Sequence, residues 1–165
     1  MIRTKGAKMN MASEVEIRTA TIDDLAAIFH LGEKVFTPKG FSNLYRTWDE
    51  YEVTHLFNSE TEYVLVAEVD GQVVGFAMGT IIEKARSAWS YGHLLWLGVD
   101  PDVARMSIGS LLFDRFREVM ETQGIRMLLV DTQADNAPAI TFFQRKGFEN
   151  PTDHVYMTLY LGKDG

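Results

Sequence analysis

The run Arg105-Met-Ser-Ile-Gly-Ser110 is the first place where residue types and spacing suggest chemistry. It lies between an apolar stretch ending at Val99 and a strongly amphipathic stretch beginning at Ser107. A strand that turns into a helix there leaves backbone N–H groups unpaired at the helix start, and Arg105 adds a positive charge beside them. Such a site suits a phosphate. The run contains neither G-x-x-x-x-G-K-[ST] nor G-x-G-x-x-G, so readings as an ATP or dinucleotide site lose their main support. A second run, from Val130 to Phe148, places Asn136 in a loop after a short apolar segment and ends on Gly147-Phe148. His30 and Glu33 stand three apart on one helix with no third ligand in view, so no metal site is expected. The chain has no cysteine, which removes disulfides, thiolate metal sites and a cysteine nucleophile.

The elements that must position these residues follow from hydrophobic period. Glu14 to Arg18 alternates as a half-buried strand, and Thr21 or Asp23 caps a helix carrying Leu25, Ile28, Phe29 and Leu31. Thr37 to Tyr45 reads as a loop and Trp48 to Phe57 as a second helix. Tyr63–Val69 and Gln72–Met78 flank Asp70-Gly71, the pair a type I′ hairpin turn requires. Trp89 to Val99 is a fourth strand, and Gly98 near its end predicts a bulge. Asp100-Pro101-Asp102 turns the chain into a helix over Ser107–Gln123, with Ile108, Leu111, Leu112, Phe116, Val119 and Met120 on its buried stripe. Arg126 to Asp131 reads as a strand buried on both faces. Pro138 opens a last helix that Gly147 closes, and His154 to Leu161 alternates as a final strand. The expected order is β-α-α-β-β-β-α-β-α-β, an α/β arrangement with a mixed sheet.

Composition limits what such a fold can do. The 165 residues fit one domain, expected over residues 13–162 behind a flexible tail of residues 1–12. A formal charge of −7 and a pI near 5.1 argue against general nucleic-acid binding. No apolar run reaches membrane-spanning length and no secretory signal is visible, so a cytoplasmic protein off the membrane is expected.

Asn136, Ala139, Phe142-Phe143 and Gly147-Phe148 match in full spacing the late motif of the GNAT superfamily of acetyl-CoA-dependent N-acetyltransferases, which the chain therefore resembles over Glu14 to Leu161. The earlier family motif, Gln/Arg-x-x-Gly-x-Gly/Ala, falls on Ala104 to Gly109, with Ala104 and Ser107 departing from it. The resemblance implies a GNAT fold whose fourth and fifth strands splay, so that freed backbone groups pair with pantetheine. By position those groups belong to Leu97, Gly98 and Val99. The amides of Arg105, Met106, Ser107, Ile108, Gly109 and Ser110 would take the pyrophosphate of acetyl-CoA, while Asn136 and Phe143 line its far side. Ser107 adds a side chain where the backbone must approach closely, which weakens rather than abolishes binding.

The catalytic residues follow less directly from the resemblance. Acetyl transfer needs a neutral amine, and a lysine-like amine is neutral in only about one molecule in a thousand at pH 7, so it wants a general base. His93 occupies the position where this family often carries a base, and it alternates with Trp89 and Tyr91 onto one face. The bland alternative is a histidine that fills that face. The family commonly carries tyrosine at the position of Phe143 as the acid for the departing sulfur; phenylalanine cannot donate, which leaves water, Tyr91 or Tyr156, or no group at all. The implied function is acetyl transfer from acetyl-CoA to a primary amine on a protein N-terminus, a lysine or a small molecule. Two alternatives are a non-catalytic acyl-CoA-binding or sensing module, and an interaction domain that has lost the cofactor. Asp49, Glu50 and Glu52 read as a solvated helix face, or would attract a cationic acceptor or peptide if they border its groove. A homodimer is a family habit that the sequence permits.

Overall fold

A computed structural model describes residues 14–36, 47–84, 89–157, 159 and 161–162, with the backbone alone at 104–106. The expected tail over residues 1–12 and the expected loop Thr37–Tyr45 lie outside the described residues. The elements run β1 (Val15–Thr19), α1 (Leu25–Phe36), α2 (Glu50–Ser59), β2 (Val64–Val69), β3 (Gln72–Glu83), β4 (Ser90–Val99), α3 (Ile108–Thr122), β5 (Leu128–Val130) and α4 (Ala137–Arg145). Short 3-10 turns at Ile22–Asp24, Thr61–Tyr63 and Pro101–Met106 join several of them.

The strands form one sheet in the order β1-β2-β3-β4-β5. The first four pair antiparallel, and β5 joins β4 in parallel. At the β2–β3 turn Asp70 and Gly71 have φ of 50° and 77°, the two positive angles of a type I′ turn. The strand β3 runs five residues beyond the expected Met78, because the longer β4 supplies partners out to Glu83.

Two apolar layers sandwich the sheet. On one face α3 buries Ile108, Leu112, Phe113, Phe116 and Met120 against Leu65, Ala67, Ala77 and Leu94. On the other, α1 and α2 bury Ile28, Leu31, Val53 and Leu56 against Val64, Val66, Phe76, Met78 and Trp96. Phe36, Trp48, Phe76 and Trp96 gather on this second face, with Phe36 and Trp96 centroids 4.8 Å apart and those of Trp48 and Trp96 5.0 Å apart. The root of α1 is tied down by Arg18. Its guanidinium meets Asp24 at 2.7 and 2.9 Å and Glu68 at 2.7 Å, and the Asp24 carboxylate also accepts from the Thr21 N–H and hydroxyl.

Four expectations are corrected. The bulge in β4 lies at Leu95 and not at Gly98: Met78 faces Trp96 and Gly79 faces Leu94, which leaves Leu95 as the extra residue. Gly98 is instead regularly paired with Phe76. A Cβ there would come within 2.9 Å of the Phe76 ring, so packing requires the glycine. Leu111 is 41% exposed, and Phe113, on the adjacent helical track, takes the place expected for it in the core. The strand β5 has three residues with Met127 and Leu129 about half exposed, because α3 covers only one of its faces. Finally, the described residues of His154–Leu161 form no strand: Val155, Met157, Leu159 and Leu161 are all more than four-fifths exposed. Their alternation is real, but no strand among the described residues pairs with them.

Candidate active site

The strands β4 and β5 share three rungs, Gly92–Leu128, His93–Leu129 and Leu94–Val130, and then part. The last five residues of β4, Leu95 to Val99, continue past β5, with β3 the strand that pairs with them among the described residues. Which of their backbone groups face the gap follows from the register. The Asp100 N–H donates to Val74 O at 2.8 Å. Hydrogen-bonded rungs alternate in an antiparallel ladder, so Gly98, opposite Phe76, also turns its N–H and C=O toward β3. Leu97 and Val99 therefore turn theirs the other way, into the gap. Before the bulge the phase is opposite, since the Gly92 N–H donates to Met127 O of the β5 side at 3.0 Å. One extra residue at Leu95 thus converts even-numbered into odd-numbered groups on the open side. Leu97 and Val99, expected at the cofactor, thus open onto the gap, whereas Gly98, expected there too, turns its backbone to β3.

A cleft of about 850 Å³ occupies the gap. Leu94, Leu95, Trp96 and Leu97 form one wall, Leu128 to Ala134 another, and Asn136 and Phe143 of the α4 region a third; Val35, Phe36 and Trp48 close one side. The charged residues among its described lining are Asp131, Glu149 and Asp153, all acidic. The cleft lining does not include Tyr91, His93 or the 107–110 segment.

The turn that follows β4 is held by Lys34 of α1, whose ammonium meets Asp100 at 2.6 Å and Asp102 at 2.8 Å. The Lys34 hydrogen bond to Asp100, with the Asp102 backbone N–H, holds the Asp100 carboxyl below its ordinary range. Ser107 then takes a left-handed conformation, φ 55°, immediately before α3. That angle suits glycine, the residue usual at this motif position, and costs serine a small strain. The amides of Ile108, Gly109 and Ser110 precede the first intrahelical bond, Leu111 N–H to Ser107 O at 3.1 Å, and so point out of the helix start. Gly109 has ordinary helical φ, and a Cβ there would find Val99 at 3.6 Å and Phe142 at 3.9 Å. None of the described residues requires a glycine at 109. The side chains of Arg105 and Met106 lie outside the described residues.

At the start of α4 Asn136 acts as the cap, its side chain accepting from the Ala139 N–H at 3.3 Å and donating to the Thr132 hydroxyl at 3.1 Å. Phe143 leans on Phe142, Phe148 and Phe113, with centroids 5.2, 5.4 and 6.4 Å away, and still reaches the cleft.

His93 and Tyr91 stand on the α1–α2 face of β4, where Tyr91 lies under the Lys84 ammonium at 5.4 Å. His93 lies opposite Thr80, whose hydroxyl donates to Glu60. Its Nε2 meets Asp131 Oδ1 at 2.7 Å, just past the last β4–β5 rung. The sequence reading missed Asp131. The available signal was its place directly after the apolar strand Met127–Val130. Glu52, expected on a solvated or acceptor-facing surface, instead accepts from the Trp96 indole N–H at 2.9 Å and props the aromatic wall. Asp49 caps α2 by accepting from the Glu52 N–H at 2.8 Å. His30 and Glu33 pair at 3.2 Å on an exposed face.

Comparison with known proteins agrees with this geometry. Residues 26–148 match the model of the acetyltransferase (GNAT) family. The chain is 28% identical over 137 residues to an acetyltransferase of Pectobacterium atrosepticum, covering 82% of this chain and 88% of that one. It is 29% identical over 148 residues to an uncharacterized N-acetyltransferase of Methanocaldococcus jannaschii, covering 85% of this chain but 63% of that one. Two solved structures share the fold: an aminoglycoside acetyltransferase from an uncultured soil metagenomic sample (TM-score 0.70, 24% identity, 88% and 97% of the two chains) and Ard1 from Thermoplasma volcanium (TM-score 0.68, 24% identity, 84% of each). A third is the aminoglycoside N-acetyltransferase AAC(6')-Iy in complex with CoA (TM-score 0.72, 17% identity, 91% and 97%). With the family model covering most of the chain and the strands splayed around a cleft, this protein belongs to the GNAT family of acetyltransferases.

Proposed function

We propose that this acetyltransferase moves an acetyl group from acetyl-CoA to a cationic primary amine, and that the cleft between β4 and β5 receives both reactants. The observation that carries the reading is the parting of β4 from β5: Leu97 and Val99 turn backbone N–H and C=O groups toward a gap where an extended pantetheine chain can complete the ladder. The amides at the start of α3 would take the pyrophosphate, with Gly109 leaving room for its approach. Asn136 fixes the α4 end of the cleft through its cap, and Phe143 supplies apolar wall.

The amine nitrogen attacks the thioester carbonyl carbon, its C–N bond forms, and the C–S bond breaks to release the thiolate. The Val99 N–H is a candidate donor to the carbonyl oxygen as negative charge develops there. His93 does not line the cleft, so the proton lost by the amine reaches it through an intervening water. Phe143 has no hydroxyl, so the departing sulfur takes its proton from solvent or from Tyr156, which lines the cleft. The acidic lining, Asp131, Glu149 and Asp153, supports a positively charged acceptor. The solved relatives named for aminoglycosides favour a small polyamine-like acceptor over a peptide.

The test is turnover with acetyl-CoA against spermidine, an aminoglycoside and a lysine-bearing peptide, with His93→Ala beside the parent protein. Spermidine or the aminoglycoside should give the highest kcat/KM, and His93→Ala should lower kcat by about 10²–10⁴-fold with acetyl-CoA affinity retained. Preference for a neutral or anionic acceptor would contradict the reading.

A further inference from the structure

The structure assigns Asp131 as the positioning residue of His93: it holds the imidazole so that Nδ1, and not Nε2, is the nitrogen that takes the amine proton. This rests on the reading of His93 as the base, and the chain of contacts is short. Nε2 lies 2.7 Å from Asp131 Oδ1. An ionised carboxylate only accepts, so in the neutral ring the hydrogen must sit on Nε2 and the lone pair on Nδ1.

Burial points the same way. The His93 side chain is 17% exposed, yet among the described residues no buried side-chain nitrogen or oxygen lacks a partner. Since the contact to Asp131 uses Nε2, the mostly covered ring leaves Nδ1 as its solvent-reaching nitrogen. When Nδ1 accepts the amine's proton, the Nε2–H stays on Asp131, and the new positive charge faces a carboxylate rather than the apolar strand. Asp131 itself keeps its charge throughout and neither gains nor loses a proton.

Position makes this more than a surface pair. His93 is on the middle rung shared by β4 and β5, and Asp131 follows the last residue of β5 on the same face as Leu129. The contact therefore spans the point where the strands part. Asp131 lines the cleft, while His93 stands behind it. One side chain thus fixes the tautomer of the ring and sets the acidic lining where an ammonium would arrive.

The test uses imidazole nitrogen NMR on the whole protein without ligand, with the ring neutral, in the parent, Asp131→Ala and Asp131→Glu. The parent ring is expected to carry its hydrogen on Nε2. The Nδ1–H form should grow in Asp131→Ala and recede again in Asp131→Glu, while the backbone amide spectrum reports that each variant is folded. A parent ring protonated on Nδ1, or a tautomer unchanged in a folded Asp131→Ala, overturns the assignment. Turnover separates this from the parent reading. If His93→Ala keeps full kcat, His93 is not the base and the positioning role falls with it, whatever the NMR shows of the pair. If His93→Ala loses activity and Asp131→Ala keeps full kcat, only the positioning role is overturned. The expected fall in kcat for Asp131→Ala lies between about tenfold and the roughly 10⁴-fold cost of a catalytic histidine in the wrong tautomer, with KM for acetyl-CoA unchanged.

Discussion

Replacing Asp24 by asparagine removes one charge and almost no volume, and the effect can be worked from the geometry. Asp24 is 7% exposed and accepts from both ends of the Arg18 guanidinium and from the Thr21 N–H and hydroxyl. With the Arg18 hydrogen bonds as the main cause, its carboxyl is lowered from 3.8 to about 2. At about 1.4 kcal/mol per pH unit, that difference contributes about 2 kcal/mol at neutral pH. For a domain of this size, such a loss lowers Tm by about 4–8 °C. The sign follows from the depressed folded-state value: the contribution is fully present above 3.8 and is lost as pH falls through about 2. Thermal unfolding of the parent and Asp24→Asn at pH 7, 5, 4, 3 and 2.5 should show the gap narrow once pH drops below 4. A gap that stays constant over this range would refute the reasoning, because the destabilisation would then come from lost shape or capping and not from the ionised carboxylate.

Gly32→Ala should destabilise strongly, since a Cβ there would lie 2.0 Å from the Trp48 indole. Forcing Trp48 aside costs about 1–3 kcal/mol and shifts the cleft wall, so Tm and acetyl-CoA affinity should fall together. Gly109→Ala should fold at least as well as the parent, because the nearest side chain is 3.6 Å from the added carbon and alanine favours the helix. Gly109→Glu should remove acetyl-CoA binding by placing a carboxylate among the α3 amides, while circular dichroism reports an intact fold. Unchanged affinity in Gly109→Glu would remove the start of α3 from the phosphate site.

The elements with a strong local cause were legible in the sequence. Asp70-Gly71 specified its turn because both residues must have positive φ, and the helical period of Ile108, Leu112, Phe116 and Met120 specified α3. The splay of β4 from β5 came from the family resemblance, and the geometry agrees with it. What escaped the sequence depended on register between distant segments. Gly98 looked like a bulge residue because glycine in a strand has two explanations, bulge or close packing, and only the position of the Phe76 ring decides between them. Leu95, the actual bulge, has no sequence mark at all. Asp131 was invisible as a partner of His93 because the two are 38 residues apart and meet only through the parallel pairing of β4 and β5. The alternation from His154 to Leu161 promised a strand, yet period alone names no partner, and the described residues there stay exposed.

The measurement closest to the central claim is thermal unfolding with and without acetyl-CoA, using adenosine diphosphate as the control. Ligand at about 100 times its Kd adds about 2.7 kcal/mol, which for this size raises Tm by about 5–10 °C. The account predicts a rise of that order with acetyl-CoA, a smaller one with adenosine diphosphate, and none with acetyl-CoA in Gly109→Glu. No rise at millimolar acetyl-CoA would contradict it, since the open end of β4 and the start of α3 would then have no cofactor to hold.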